Sequence, residues 1–164
     1  MNRITYHPIG IVHSPFRFPE GTPIQAIAAK DIQARIEIFP EYSSGITDLD
    51  GFSHIIVLFH MHLAKGKSLL VTPFLDSVPH GVFATRSPGR PNPIGFSVVE
   101  LEKIENDILF VKGVDILDGS MVLDIKPYIP QFDVYETTKK GWIEKNAHKI
   151  GDLKDDGRFK FSND

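Results

Sequence analysis

The chain has no cysteine. Disulfides and thiolate metal sites are thereby excluded, and a reducing compartment, the cytoplasm, is the expected location. Long apolar runs are also missing. The longest, Ile55–Phe59, falls far short of the roughly 20 residues that a membrane-spanning helix needs, so no membrane association is expected. Met1–Gly10 lacks the basic stretch and apolar core of a secretory leader, and none is expected. Charge of one sign is scarce: 18 Lys+Arg against 21 Asp+Glu leave a net charge of -3. Wholesale wrapping by nucleic acid is therefore excluded, while a local basic patch is not.

What the chain has in quantity is punctuation. Twelve prolines and thirteen glycines in 164 residues predict many turns and few long helices. A chain of this length fits one domain. Apolar alternation predicts strands at Ile4–Val12, Ala34–Phe39, Gly81–Thr85, Phe96–Ile104, Ile108–Val114 and Val122–Tyr128. Phe52–His62 is apolar on both faces through its middle and predicts a central strand. Glu105-Asn106-Asp107 predicts a hairpin turn. Phe16–Lys30 and Gly66–Pro79 read as long loops, and Pro40–Asp50 as a polar stretch with one short helical turn. The resulting expectation is a mainly β protein, a closed or nearly closed barrel with short helices and long loops. Residues 1–130 would form the barrel. Residues 131–164 would be an extension with a short helix at Trp142–Ile150 and a loose charged tail from Lys154. No βαβ pattern is present, which excludes a Rossmann-type fold.

Four features could carry chemistry. Between Gly81 and Gly95, Arg86 and Arg90 lie four apart in a stretch stiffened by Pro88, Pro91 and Pro93. Each guanidinium is a planar fork suited to a carboxylate or phosphate, although a rigid turn with surface arginines has the same composition. Asp115 and Asp118, with the turn signal Gly119 and then Ser120, could accept hydrogen bonds from hydroxyls or an amine. Beyond them, Asp124, Lys126 and Tyr128 share one face of a strand, which could line a site or simply meet solvent. His54, His60 and His62 share the parity of one strand face. A cupin-like metal site would need a carboxylate nearby, and Leu63–Leu70 has none, so no metal is expected. A histidine in a pocket wall could act as a base. His13-Ser14-Pro15 ends the first strand and gains meaning only beside the other loops.

Taken together, these segments resemble one family. Ile9–Pro15, Asp50–His54, Ala84–Ser87 with Arg90–Gly95, and Asp118–Ser120 through Asp124-Ile125-Lys126-Pro127-Tyr128 look like the TsaA-like, or TrmO, family, in order and spacing, over roughly Ile4 to Pro130. The resemblance implies a single-sheeted β-barrel that binds S-adenosyl-L-methionine and works as a homodimer. It implies N6-methylation of threonylcarbamoyladenosine just 3′ of the anticodon in tRNA. It carries cofactor contacts onto His13, Ser14, Pro15, His62, Leu63, Arg86, Phe96 and the turn Asp115, Asp118, Gly119 and Ser120. Arg90, Lys126 and Tyr128 would meet the substrate. Asp124 or His62 would accept the proton. The family's turn usually reads Asp-Gly-Thr-Pro, whereas here Ser120 and Met121 follow Asp118-Gly119. Many bacterial members carry a further C-terminal domain, and this chain is like the short archaeal members. Three rivals remain: a non-enzymatic RNA-binding barrel, a cupin-like metalloenzyme using His60 and His62, and a methyltransferase for another substrate.

Overall fold

Inward alternation closes the sheet. The computed structural model describes residues 3–145, 154–157 and 159. Six strands close into an antiparallel barrel: β1 (Gly10–His13), β2 (Gln33–Ile38), β3 (His54–His60), β6 (Ile94–Glu105), β7 (Ile108–Lys112) and β8 (Met121–Pro127). Their order around the barrel is β1-β2-β7-β6-β3-β8. A separate two-stranded ribbon pairs β4 (Leu70–Val71) with β5 (His80–Gly81). Along β2 every second residue is buried, with Ala34, Ile36 and Ile38 inward. Val12, Ile55, Val57, Val99, Leu109 and Val122 complete a core with almost no exposure. Each such aliphatic side chain contributes about 1.5–3 kcal/mol on burial.

The expected barrel, its central strand and the hairpin all stand. The hairpin's Asn106 takes a left-handed backbone, φ 54°, as the tight turn between β6 and β7 requires. Three expectations need correction. The first strand starts at Gly10 instead of Ile4. Ladder bonding begins where Ile9 donates to the Val122 carbonyl at 2.8 Å, and Pro8 just before it has no N–H to offer. Gly81–Thr85 is not a strand, because Val82–Ala84 winds into a 3-10 turn. Both the N–H and the hydroxyl of Thr85 bond to the Val82 carbonyl, at 3.1 and 2.9 Å. That local capture competes with ladder pairing. Finally, β3 stops at His60, so His62 leaves the face shared by His54 and His60.

After the barrel, Pro130–Asp133 makes one helical turn, α1, and Gly141–Lys145 a 3-10 turn. The expected helix at Trp142–Ile150 otherwise lies outside the described residues. The described part of the tail is tied down. Asp155 donates its N–H to the Thr22 carbonyl at 2.9 Å and accepts from Gly21 at 2.8 Å. Phe159 packs edge-on against Phe74, with ring centroids 5.1 Å apart.

Register decides where function can gather. His13 pairs with Arg35, His60 with Ile94, Gln33 with Lys112, and Phe59 with Val122. The ends of β1, β3 and β7 and the starts of β2, β6 and β8 therefore meet at one end of the barrel. The long loops 14–32, 61–93 and 113–120 all open there.

Candidate functional site

At that end lies a cleft of about 1290 Å³, larger than the roughly 300–1,000 Å³ of an ordinary small-molecule pocket. It has room for a small molecule and part of a second, larger one. Six of the sequence-predicted residues line it: Leu63, Arg86, Arg90, Phe96, Asp115 and Ser120.

Next to the cleft residue Ser120, two loops distant in sequence are joined by residues that do not themselves line the cleft. Ser14 donates its N–H to Asp118 Oδ1 at 3.1 Å and its hydroxyl to the Ile116 carbonyl at 2.6 Å. Asp118 N–H returns to the Phe16 carbonyl at 2.7 Å, and Gly119 N–H to Val12 at 2.8 Å. The β1 exit and the 115–120 turn thus form one rigid unit, and Gly119 supplies the left-handed φ of 77° that the turn needs. His13 itself faces Glu37 instead, with Nε2 2.9 Å from the carboxylate, and Pro15 is exposed. Ser120 is fully buried, and its hydroxyl lies 3.3 Å from His62 Nδ1. His62 lies next in sequence to the cleft residues Met61 and Leu63 but does not itself line the cleft. Its imidazole is held below its ordinary pKa, first by burial and then by His60, with Asp118 pulling the other way. It is therefore neutral at pH 7 and able to take a proton.

Within the cleft, Arg86 donates to Gln25 Oε1 at 2.8 Å and lies over the Phe96 ring, 5.6 Å from its centroid. These contacts aim the guanidinium into the cleft while leaving most of its five donors for a ligand. Asp115 takes a hydrogen bond from the Ser97 hydroxyl. Burial pushes its carboxyl above the ordinary carboxylate range, against the pull of Ser97 and of the Arg86 charge. Arg90 turns back on its own loop, donating to the Thr85 and Ser87 carbonyls at 3.3 and 3.5 Å. The other three predicted residues, from β8 and just beyond it, go elsewhere. Asp124 pairs with Lys126 at 2.6 Å on the barrel's outside, and Tyr128 sits by His54. None of the three lines the cleft. Among the described residues, no group of three or more His, Cys, Asp or Glu side chains is placed to hold a metal ion.

Three cleft residues were not picked out from the sequence. Ser97 carries a signal: it is a lone polar residue at an inward position of β6, with Val99 and Leu101 following at the same parity. Gln25 lies in a loop without period and offers none. Trp142, the chain's one tryptophan, stacks on His80 with centroids 4.7 Å apart and donates to the Ala84 carbonyl at 2.8 Å. It thereby braces the turn that leads into Arg86.

A closed barrel whose loop end gathers a buried carboxylate, a stacked arginine and a depressed histidine defines a ligand-binding barrel with acid–base capacity. Residues 11–134 match the tRNA-methyltransferase O N-terminal domain, and the chain belongs to that family. A probable S-adenosyl-L-methionine-binding protein of Pyrococcus abyssi is 58% identical over 156 residues, covering 95% of this chain and 85% of that protein. A tRNA (adenine(37)-N6)-methyltransferase of Mus musculus is 40% identical over 150 residues, 87% of this chain and 34% of that protein. The crystal structure of TrmO from Pseudomonas aeruginosa superposes with a TM-score of 0.72 at 36% identity, covering 87% of this chain and 62% of that one. The chain therefore spans less than two-thirds of the solved TrmO chain and about a third of the mouse protein.

Proposed function

We propose that this chain is an S-adenosyl-L-methionine-dependent methyltransferase acting on N6 of adenosine 37 in tRNA, with threonylcarbamoyladenosine as the modified base. The observation that carries the reading is the junction of Ser14, Asp118, Ser120 and His62 beside a cleft that Ser120, Asp115 and Arg86 line, in a chain of this family. The residues suit the cofactor. Asp115 and the Asp118–Ser120 turn offer acceptors for hydroxyls or an amine, Phe96 and Leu63 an apolar wall, and Arg86 a fork for a carboxylate. Bound there, the cofactor supplies a methyl carbon made electrophilic by its sulfonium.

The protein's work is alignment and removal of a proton. His62 is the acceptor we assign, because its Nδ1 lies 3.3 Å from the hydroxyl of the cleft residue Ser120, whereas Asp124 is ion-paired with Lys126 on the barrel's outside. With the proton on Nδ1 donated to Ser120, Nε2 accepts. The proton that N6 gives up on methylation would pass to His62 Nε2. Arg90, which also lines the cleft, meets the substrate's carboxylate or a phosphate. We further place the enzyme in the cytoplasm as a homodimer. The apolar side chains of Phe132, Val134 and Tyr135, all more than 60% exposed, are a surface that a second copy would cover.

Radiolabelled methyl transfer to tRNA bearing threonylcarbamoyladenosine tests the function. Label in N6-methylated product is expected. Binding of tRNA without transfer would assign the non-enzymatic rival. The base is tested by pH. A neutral histidine is the active form, so kcat should rise with pH through the depressed His62 pKa and be level above it. The acid limb should therefore lie below pH 6.5, the ordinary histidine value. His62→Gln should lower kcat on the order of a hundredfold and abolish that limb. A limb kept in the variant would assign the proton elsewhere.

A further inference from the structure

Phe83 stands out on the cleft rim. It is 77% exposed, although it sits in the middle of the 3-10 turn Val82–Ala84. Val82 before it is buried and donates its N–H to the Leu69 carbonyl at 2.9 Å. Ala84 after it accepts the Trp142 indole N–H. Thr85 closes the turn with two bonds to Val82. The backbone is thus fixed on both sides while the ring is held out in solvent. Exposed apolar side chains on mobile loops need no explanation. A large ring presented by a braced backbone is different, because its orientation has been organised before any partner arrives.

Its neighbours indicate the partner. Phe83 lines the same cleft as Arg86, three residues on, and Lys140, two residues before the bracing Trp142. An exposed ring on a cleft that also carries cations suits single-stranded nucleic acid: bases stack on the ring, and phosphates meet the charges. We propose that Phe83 is a stacking platform for an unpaired nucleobase flanking the methylated one, with Lys140 against the adjoining phosphate. This rests on the tRNA reading above and adds to it a second base-binding position outside the catalytic corner. Stacking on an aromatic ring is indifferent to base identity. The subsite therefore holds the loop in an unstacked form, and discrimination among tRNAs lies elsewhere.

The test is direct binding of a fluorescently labelled anticodon stem-loop RNA, measured by anisotropy for wild type, Phe83→Ala and Phe83→Trp. Sedimentation mass and calorimetric S-adenosylmethionine affinity are measured on the same proteins. Phe83→Ala should weaken RNA binding on the order of tenfold or more. Phe83→Trp should bind within about twofold of wild type, because base–aromatic stacking is sequence-tolerant and needs only a π-face. Cofactor affinity and mass should not change in either. Equal binding by Phe83→Ala and wild type would overturn the platform while leaving the methyltransferase reading intact. A fall in mass for Phe83→Ala would also overturn it and make the ring part of an interface between copies. Wild-type binding with the expected Phe83 pattern but no methyl transfer to tRNA would sustain the platform and sink the catalytic reading.

Discussion

Arg86→Ala should weaken S-adenosylmethionine binding tenfold to about a hundredfold, the worth of one charge-assisted hydrogen bond at roughly 1.5–3 kcal/mol. The effect should grow in acid. Asp115 lies within the field of Arg86, whose charge draws the carboxyl's pKa down against the burial that raises it. Remove the guanidinium and that pKa climbs further. The ionised carboxylate is the form that accepts hydrogen bonds from a ligand hydroxyl or ammonium. Affinity is thus present above the raised pKa and lost as pH falls through it, and in the variant the loss should begin at higher pH. Calorimetric titrations from pH 5 to 8 would read both effects. A variant that binds within threefold of wild type at every pH would take Arg86 out of the site. Arg86→Lys restores charge but not the fork, and should recover the Asp115 pH dependence more fully than the affinity.

Gly95→Ala should lower the melting temperature by roughly 2–12 °C, combining about 1–3 kcal/mol of overpacking with about 2–4 °C per kcal/mol for a chain of this size. Gly95 on β6 is the direct partner of Phe59 on β3. A methyl group added there would overlap the outer edge of the Phe59 ring, its Cζ and two Cε atoms. The ring is 7% exposed and belongs to the core, so relief requires the ring to leave its packed position or the two strands to separate. Aromatic cover of a sheet glycine is a recognised way to pin register. Phe59 also lines the cleft, so cofactor affinity should fall together with stability. Adding Phe59→Leu to Gly95→Ala should return part of the lost stability, whereas Phe59→Leu alone costs some. Simple additivity of the two would show that the ring does not carry the clash.

The barrel was legible because its information is local and periodic. Ala34, Ile36 and Ile38 on β2 declare a buried face by themselves, and the Asn106-Asp107 turn declares its hairpin. Arg86, Asp115 and Ser120 could be singled out because their residue types stand out from their loops. Other features depended on partners far along the chain. Arg90 looks identical to Arg86 in sequence, yet it braces its own loop, since only the folded backbone decides which carbonyls lie within reach. Asp124, Lys126 and Tyr128 keep the period of a strand face, but period two cannot say whether that face meets cleft or solvent. Gln25 and Trp142 matter through single contacts with the Arg86 wall, and no pattern precedes such contacts.

The bond from Ser14 to Asp118 joins residues 104 positions apart and lies where β1 and β8 close the barrel. The corner assigned to the cofactor is therefore also the seam of the cylinder. Neither half of it exists until the first and last strands have found each other, and bringing them together carries the largest loop-closure cost in the topology. A ligand seated there would act as a clasp, holding shut the joint that forms last and must part first. Starved of its cofactor, such a protein would be expected to open from this seam, exposing the edges of β1 and β8 to other chains. Its lifetime would then follow the supply of its methyl donor.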